Sequence, residues 1–239
     1  MEIKSYRKDL FYSYTLGAFP TIELLKKHQK DVIKILVHSS FHNEEVLSLI
    51  HSLRKDTEIQ INDKLISKLS NKENCYLAAV FNKYQMTLNP NKNHIVLVNP
   101  MNMGNFGTII RSALGFGFTD IAVIKPAIDI FDPKVLRAAM GSFFSSNIVY
   151  FNTIEEYKAL YPDHKLHSFM LQAKKALQET EFESTPLSLV FGNESSGLPE
   201  NYLDDNSIII KHSNDIDSLN LPTAVGIVLY EVDKQLKKR

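Results

Sequence analysis

Along the chain, apolar and polar positions fall into blocks whose period switches between two signatures. One is the β-branched clustering of strands, the other the steps of three and four of helices. Thr21 to His28 reads as a helix, and Val32 to Val37 (VIKILV) as a strand. Asn43 to Arg54 predicts a second helix, with Asn43 as its cap and Val46, Leu49, Ile50 and Leu53 on one stripe. A short helix near Lys64 to Leu69 and a strand at Tyr76 to Phe81 follow. Together they predict a small α/β module.

The polar, turn-forming stretch Asn89-Pro90-Asn91-Lys92-Asn93 separates this module from a stronger β-α pattern. We expect one domain over residues 1–88 and another over 93–239. Ile95 to Val98 (IVLV) is a short, continuous apolar run, as buried parallel strands are. A long loop then leads to a helix from about Thr108 to Phe116, which Gly117 can stop. Ile121 to Ile124 is the next strand. Asp132-Pro133 opens a helix, and Thr153 with Glu156 forms a capping box for another. Strands are expected near Leu166–Leu171, Leu187–Phe191 and Ser207–Ile210. The last helix runs from Pro222 to about Lys237, with a stripe of Leu221, Val225, Val228, Val232 and Leu236.

Composition narrows the class without choosing a function. With 44% hydrophobic and 23% charged residues, the chain is globular rather than disordered. Its net charge is zero, which does not favour a polyanionic partner, although a local basic face remains compatible with one. The single cysteine, Cys75, sits among apolar neighbours and reads as a small core residue. The start of the chain lacks the apolar stretch of a signal peptide, and no run approaches the length of a membrane span. A cytoplasmic location is the expectation. The eight histidines show no metal-ligand spacing, so no metal is expected.

Ligands of open parallel sheets bind outside the carboxyl ends of the strands. Three loops after strand ends, 99–107, 192–198 and 211–220, are each rich in Gly, Asn, Ser and Asp. The first leads into Asn105-Phe106-Gly107-Thr108-Ile109-Ile110-Arg111. The second contains Gly192-Asn193-Glu194-Ser195-Ser196-Gly197, and the third ends in Ser218-Leu219-Asn220. In order and context they resemble the three signature motifs of SpoU/TrmH-family RNA 2′-O-ribose methyltransferases of the SPOUT superfamily. The segment Val135 to Gly141 also looks like a stretch that family carries between its first two motifs. The resemblance covers about residues 93–239. The first module is similar, at lower specificity, to the L30e-like RNA-binding domain that precedes many family catalytic domains.

The resemblance implies an α/β fold with a parallel sheet, helices on both faces and a C-terminal trefoil knot. It also implies S-adenosyl-L-methionine as cofactor, rRNA or tRNA as partner, and a homodimer formed through the knotted domain. Carried over residue by residue, it makes Arg111, Asn105, Glu194 and Asn220 catalytic. Arg111 would hold RNA or help activate the 2′-hydroxyl. Asn105 would fix Arg111 or the substrate, and Glu194 would organise the site by pairing with Arg111. It assigns Gly192, Asn193, Gly197, Ile210, Ser218 and Leu219 to cofactor binding. The chain departs from many relatives at Ile210-Lys211-His212, where those often carry Ile-Pro-Met.

Each of these residues also has a plainer reading. Arg111 could be a solvated helical arginine, Asn105 and the glycines turn formers, and Asn220 a helix cap. The terminal Lys234 to Arg239 reads better as a solvated cationic helix end than as an RNA-binding tail. The alternative function is a non-catalytic RNA-binding protein that keeps the fold. A nicotinamide-dependent oxidoreductase would need G-x-G-x-x-G after the first strand. Gly115-Phe116-Gly117-Phe118 lies at a helix end instead.

Overall fold

The computed structural model describes residues 2–53, 57–70, 74–182 and 186–237. Arg54, the Leu53 side chain, Lys238 and Arg239 lie outside the described residues. In chain order the first elements are β1 (Tyr12–Leu16), α1 (Ala18–Lys27), β2 (Val32–Val37), α2 (Glu44–Leu53), β3 (Glu58–Ile61), α3 (Asp63–Leu69) and β4 (Leu77–Asn82). Next come β5 (His94–Val98), α4 (Met103–Gly115), β6 (Asp120–Ile124), α5 (Pro133–Ala138), β7 (Asn147–Phe151) and α6 (Ile154–Leu160). The chain closes with β8 (Lys165–Ser168), β9 (Lys175–Ala176), β10 (Leu187–Phe191), β11 (Ile208–Ile209) and α7 (Leu221–Lys237). Among the described residues no helix is long and apolar enough to cross a membrane.

The chain forms two compact units. One comprises Met1–Gln85 and Asp129–Ser145, the other Met86–Ile128 and Ser146–Arg239. The first unit therefore draws on two separate stretches of sequence. Its sheet has the order β1-β4-β2-β3, antiparallel except for the β2–β3 pair. Strand β1, YSYTL, escapes a hydrophobicity reading because its hydroxyls alternate with its large side chains. All five of its residues are nevertheless buried. Burying a hydroxyl requires a partner. Ser13 Oγ donates to the Phe131 carbonyl at 2.6 Å, and Thr15 Oγ1 lies 2.7 Å from Thr21 Oγ1. Helix α2 is capped as expected, with Asn43 Oδ1 accepting from the Val46 N–H at 3.0 Å. Asp132 caps α5 by accepting from the Lys134 N–H at 2.8 Å.

The second unit holds a five-stranded sheet of order β7-β6-β5-β10-β8, parallel throughout. Every residue of β5, β6 and β10 is buried, which explains their uninterrupted apolar runs. Strand β7 goes unread in the sequence because Asn147 and Tyr150 interrupt it. The chain steps from β5 outward to β6 and β7, then returns to the other side for β8 and β10. The β5–β10 boundary is thus the switch point where open sheets of this kind form a crevice. A two-stranded parallel pair, β11–β9, completes the unit.

At the other end of β5, a buried polar cluster ties the sheet to α6. His94 Nε2 faces the Asn89 carbonyl at 2.9 Å, so that nitrogen carries the proton. Its Nδ1 then accepts from the Tyr157 hydroxyl at 2.8 Å, and that hydroxyl touches Ser188 Oγ at 2.5 Å. Burial pushes the His94 imidazole down to about 4 and raises the Tyr157 phenol above its ordinary value.

Candidate functional site

Register places the loops after β5 and β10 side by side, because Phe191 pairs with Leu97 and Val190 with Val96. The β10 loop opens with Gly192, whose backbone presses against the far side of the same loop. A Cβ there would stand 2.1 Å from the Gly197 carbonyl carbon and 2.3 Å from the Leu198 nitrogen, so only glycine fits. Gly197 turns the loop back with φ of +68°, in the left-handed region. Asn193 and Gly197 exchange backbone hydrogen bonds at 3.2 and 3.0 Å, closing a tight hairpin.

The Asn193 side chain staples this hairpin in two directions. Its Oδ1 accepts from the backbone N–H groups of Ser195 and Ser196 at 2.8 and 3.2 Å. Its Nδ2 donates to the Asn99 carbonyl at 2.7 Å, across to the β5 loop. Asn99 itself has φ of +53°, a conformation Asn tolerates better than most residues. Glu194 adds a second link. Its carboxylate accepts from the N–H groups of Met101 and Asn102, each at 3.3 Å.

Helix α4 begins at Met103, earlier than the expected Thr108. The reason is Asn102, whose Oδ1 accepts from the Asn105 N–H at 3.0 Å and so caps the helix within the expected loop. Asn105 and Gly107 therefore lie in the first turns of α4, and Gly107 is buried. Arg111 sits two turns on, exposed, and no hydrogen bond or ion pair engages its guanidinium among the described residues. The expected pairing of Glu194 with Arg111 is absent. The Glu194 carboxylate is engaged by the backbone ahead of α4 instead.

A cavity of about 210 Å³ opens at this end of the sheet. Gly192, Asn193, Glu194, Gly197, Ile210, Ser218 and Leu219 all line it. Asn105, Arg111 and Asn220 do not. Asn220 precedes α7 and is exposed, with its carbonyl accepting from the Ala224 N–H at 3.0 Å. The sequence reading misses the β8 end, where Met170, Leu171 and Gln172 form a further wall. The signal was present, since β8 also ends at this edge of the sheet. Leu171 stays 52% exposed at that wall although it is large and apolar. Phe169 stacks on Phe191 with ring centroids 4.7 Å apart, fixing this wall to β10.

His212 also lines the cavity. Its Nδ1 lies 2.9 Å from the Ser213 carbonyl, so Nδ1 carries the proton. Its Nε2 is then an acceptor, buried and without a partner. No group of three or more His, Cys, Asp or Glu side chains among the described residues is placed to hold a metal ion.

The SpoU rRNA Methylase family profile matches residues 92–230, more than half the chain. An uncharacterized tRNA/rRNA methyltransferase of Synechocystis is 31% identical over 148 residues, covering 59% of this chain and 53% of the relative. The 23S rRNA (guanosine(2553)-2′-O)-methyltransferase RlmP of Bacillus subtilis is 31% identical over 134 residues, covering 54% and 53%. The match thus spans about half the length of these relatives. In fold, the chain resembles the SpoU methyltransferase AviRb of Streptomyces viridochromogenes, with a TM-score of 0.81 at 22% identity over 95% of this chain and 91% of that one. The chain belongs to the SpoU rRNA Methylase family.

Proposed function

We propose that the protein methylates a ribose 2′-hydroxyl in rRNA or tRNA, using S-adenosyl-L-methionine. The observation that carries this reading is the cavity walled by the glycine-bearing loop after β10, a loop that Asn193 and Glu194 tie to the loop after β5. The cavity suits the cofactor chemically. The carbonyl oxygens of Gly192, Asn193 and Gly197, the last two keeping a second lone pair beside the hairpin bonds, can accept from a purine amino group or an amino-acid ammonium, while Ile210 and Leu219 offer apolar flanks. When bound, the cofactor supplies a methyl group already activated by a sulfonium.

The remaining work falls to the chain's own residues. A ribose oxygen must be aligned with that methyl group, and its proton must leave. Arg111 holds the RNA phosphate. Its free guanidinium forms the bidentate bonds that fix a phosphate in place, and its very high pKa makes it a poor base. Asn105 and Asn220 flank the ribose, and Glu194 keeps the loop ahead of α4 in place. A 2′-hydroxyl target selects RNA over DNA.

By the same resemblance, the first unit, built mainly on residues 1–88, is an L30e-like RNA-binding domain, and the second, drawn from 93–239 apart from Asp129–Ser145, is a methyltransferase domain closed by a trefoil knot. The enzyme works in the cytoplasm as a homodimer through the knotted domain. Ile227 and Tyr230, 39% and 59% exposed on α7, support a partner on that helix. The test is mass-spectrometric mapping of 2′-O-methyl groups in total RNA with and without the gene. Loss of a defined ribose methylation is expected. An unchanged methylation profile overturns the reading.

A further inference from the structure

The first unit carries a groove that the methyl-transfer loops do not use. Its volume is about 780 Å³, within the range that encloses small organic ligands. The N-terminal segment, β1, the end of α3 and one face of α5, with Pro133, Lys134, Arg137 and Ala138, contribute to it. Its floor is apolar and aromatic, with Tyr6, Leu69 and Met140, the last 42% exposed. Tyr6 is held rather than free. Its ring packs edge-on to Tyr14 at 6.3 Å, and its N–H donates to the Tyr14 hydroxyl at 3.0 Å.

Three cations line this groove: Lys68, Lys134 and Arg137. No ion pair or hydrogen bond engages their charged groups among the described residues. The one carboxylate in the lining, Asp132, accepts from the Lys134 backbone N–H through Oδ1 and forms no ion pair with the three, so cations outnumber it. Other cations of the described structure do meet acids, as Lys26 does with Glu23 at 3.0 Å and Lys237 with Asp233 at 2.8 Å, so what sets these three apart is that they share one groove. A chain of zero net charge that leaves three cations unpaired over one groove has placed a local positive field there.

We infer that this groove binds a single-stranded segment of RNA, with Lys68, Lys134 and Arg137 on successive phosphates and a base against the Tyr6–Met140 floor. Cations tracking a backbone beside apolar and aromatic surface are what sequence-tolerant binding of single strands needs. The inference rests on the RNA-methyltransferase reading and adds where the substrate is gripped away from the methyl-transfer loops. It also gives the stretch Val135–Gly141 a role in RNA grip, since α5 belongs to the first unit.

The test is filter binding of a single-stranded oligouridine to the full chain across a salt series, alongside calorimetry with S-adenosylhomocysteine. The triple variant Lys68→Gln, Lys134→Gln, Arg137→Gln should bind oligouridine at least tenfold more weakly. The slope of log affinity against log salt should fall by about 2, since each phosphate left without its cation takes about 0.7 from it. Its cofactor-product affinity should match the wild type, and an unchanged calorimetric unfolding profile reports that the variant is folded. The pair Lys134→Arg, Arg137→Lys, which keeps both charges, should retain the wild-type slope. If the triple variant keeps wild-type RNA affinity and slope, the groove assignment is overturned while the methyltransferase reading stands. If the wild type binds S-adenosylhomocysteine but not oligouridine, the groove assignment falls, and the methyltransferase reading is decided by the methylation profile.

Discussion

The side-chain amide of Asn193 donates to the backbone carbonyl of Asn99 at 2.7 Å, joining the loop after β10 to the loop after β5. Neither residue belongs to the hydrophobic pattern that builds the sheet, yet the pair fixes how two neighbouring strands present their ends. Asn193→Ala removes this bond and two inward ones, to Ser195 and Ser196. Each is worth about 1 kcal/mol net, so calorimetric affinity for S-adenosylhomocysteine should drop at least tenfold. Asn193→Asp keeps the inward acceptor but loses the donor to Asn99, and should fall between the two. Wild-type affinity in Asn193→Ala would show that the cavity does not depend on the staple.

Arg111 gives the opposite partition. It lies outside the cavity, exposed on α4. Arg111→Ala should therefore leave cofactor affinity within about twofold, while turnover falls at least about 10²-fold through lost positioning of the substrate. Single-turnover methylation of total RNA from a strain lacking the gene measures the second quantity. Activity within a few-fold of wild type would remove Arg111 from the site.

Most of the second unit is legible in the sequence, and the reasons are physical. Strands buried on both faces must be apolar throughout, so β5, β6 and β10 announce themselves. Strands β1 and β7 do not, because the buried hydroxyls of β1 find partners that the local sequence does not reveal, as Ser13 does at Phe131, and half-buried polar residues interrupt β7. The expected start of α4 falls too late because Asn102 caps from inside a loop rich in Asn and Gly, where several residues could have served. The membership of Asp129–Ser145 in the first unit is a matter of tertiary packing that no local pattern encodes. Within the site, residue types point to the cavity wall. Partners such as Asn99 for Asn193, and backbone rather than Arg111 for Glu194, need coordinates.

Gly192 tests the glycine wall directly. In Gly192→Ala the new Cβ would meet Gly197 and Leu198 backbone atoms at 2.1 to 2.4 Å, and backbone cannot swing aside as a side chain can. The loop must shift, at an order-of-magnitude cost of about 1–3 kcal/mol. A fall in Tm of roughly 2–12 °C by calorimetric scanning follows for a chain of this size, with loss of measurable cofactor binding. A variant with unchanged Tm and unchanged affinity would contradict the close approach of Gly192 to Gly197.

The buried His94 cluster sets how the fold responds to acid. Burial holds the imidazole at about 4 in the folded chain, against about 6.5 when unfolded. Above the unfolded value both states are neutral there and His94 adds no pH dependence. Below it, the unfolded chain takes up a proton that the folded chain refuses. Stability therefore declines as pH falls from about 6.5 to about 4, by up to about 3 kcal/mol from this residue. His167, pushed down chiefly by burial as well, acts in the same direction. Carboxylates also titrate near the acid end, so the comparison of two proteins isolates the histidine. Urea unfolding of wild type and His94→Gln should show the wild type losing stability more steeply through this window, with the two curves parallel above about pH 7. Parallel curves throughout would mean that His94 is protonated as readily in the folded chain as in the unfolded one.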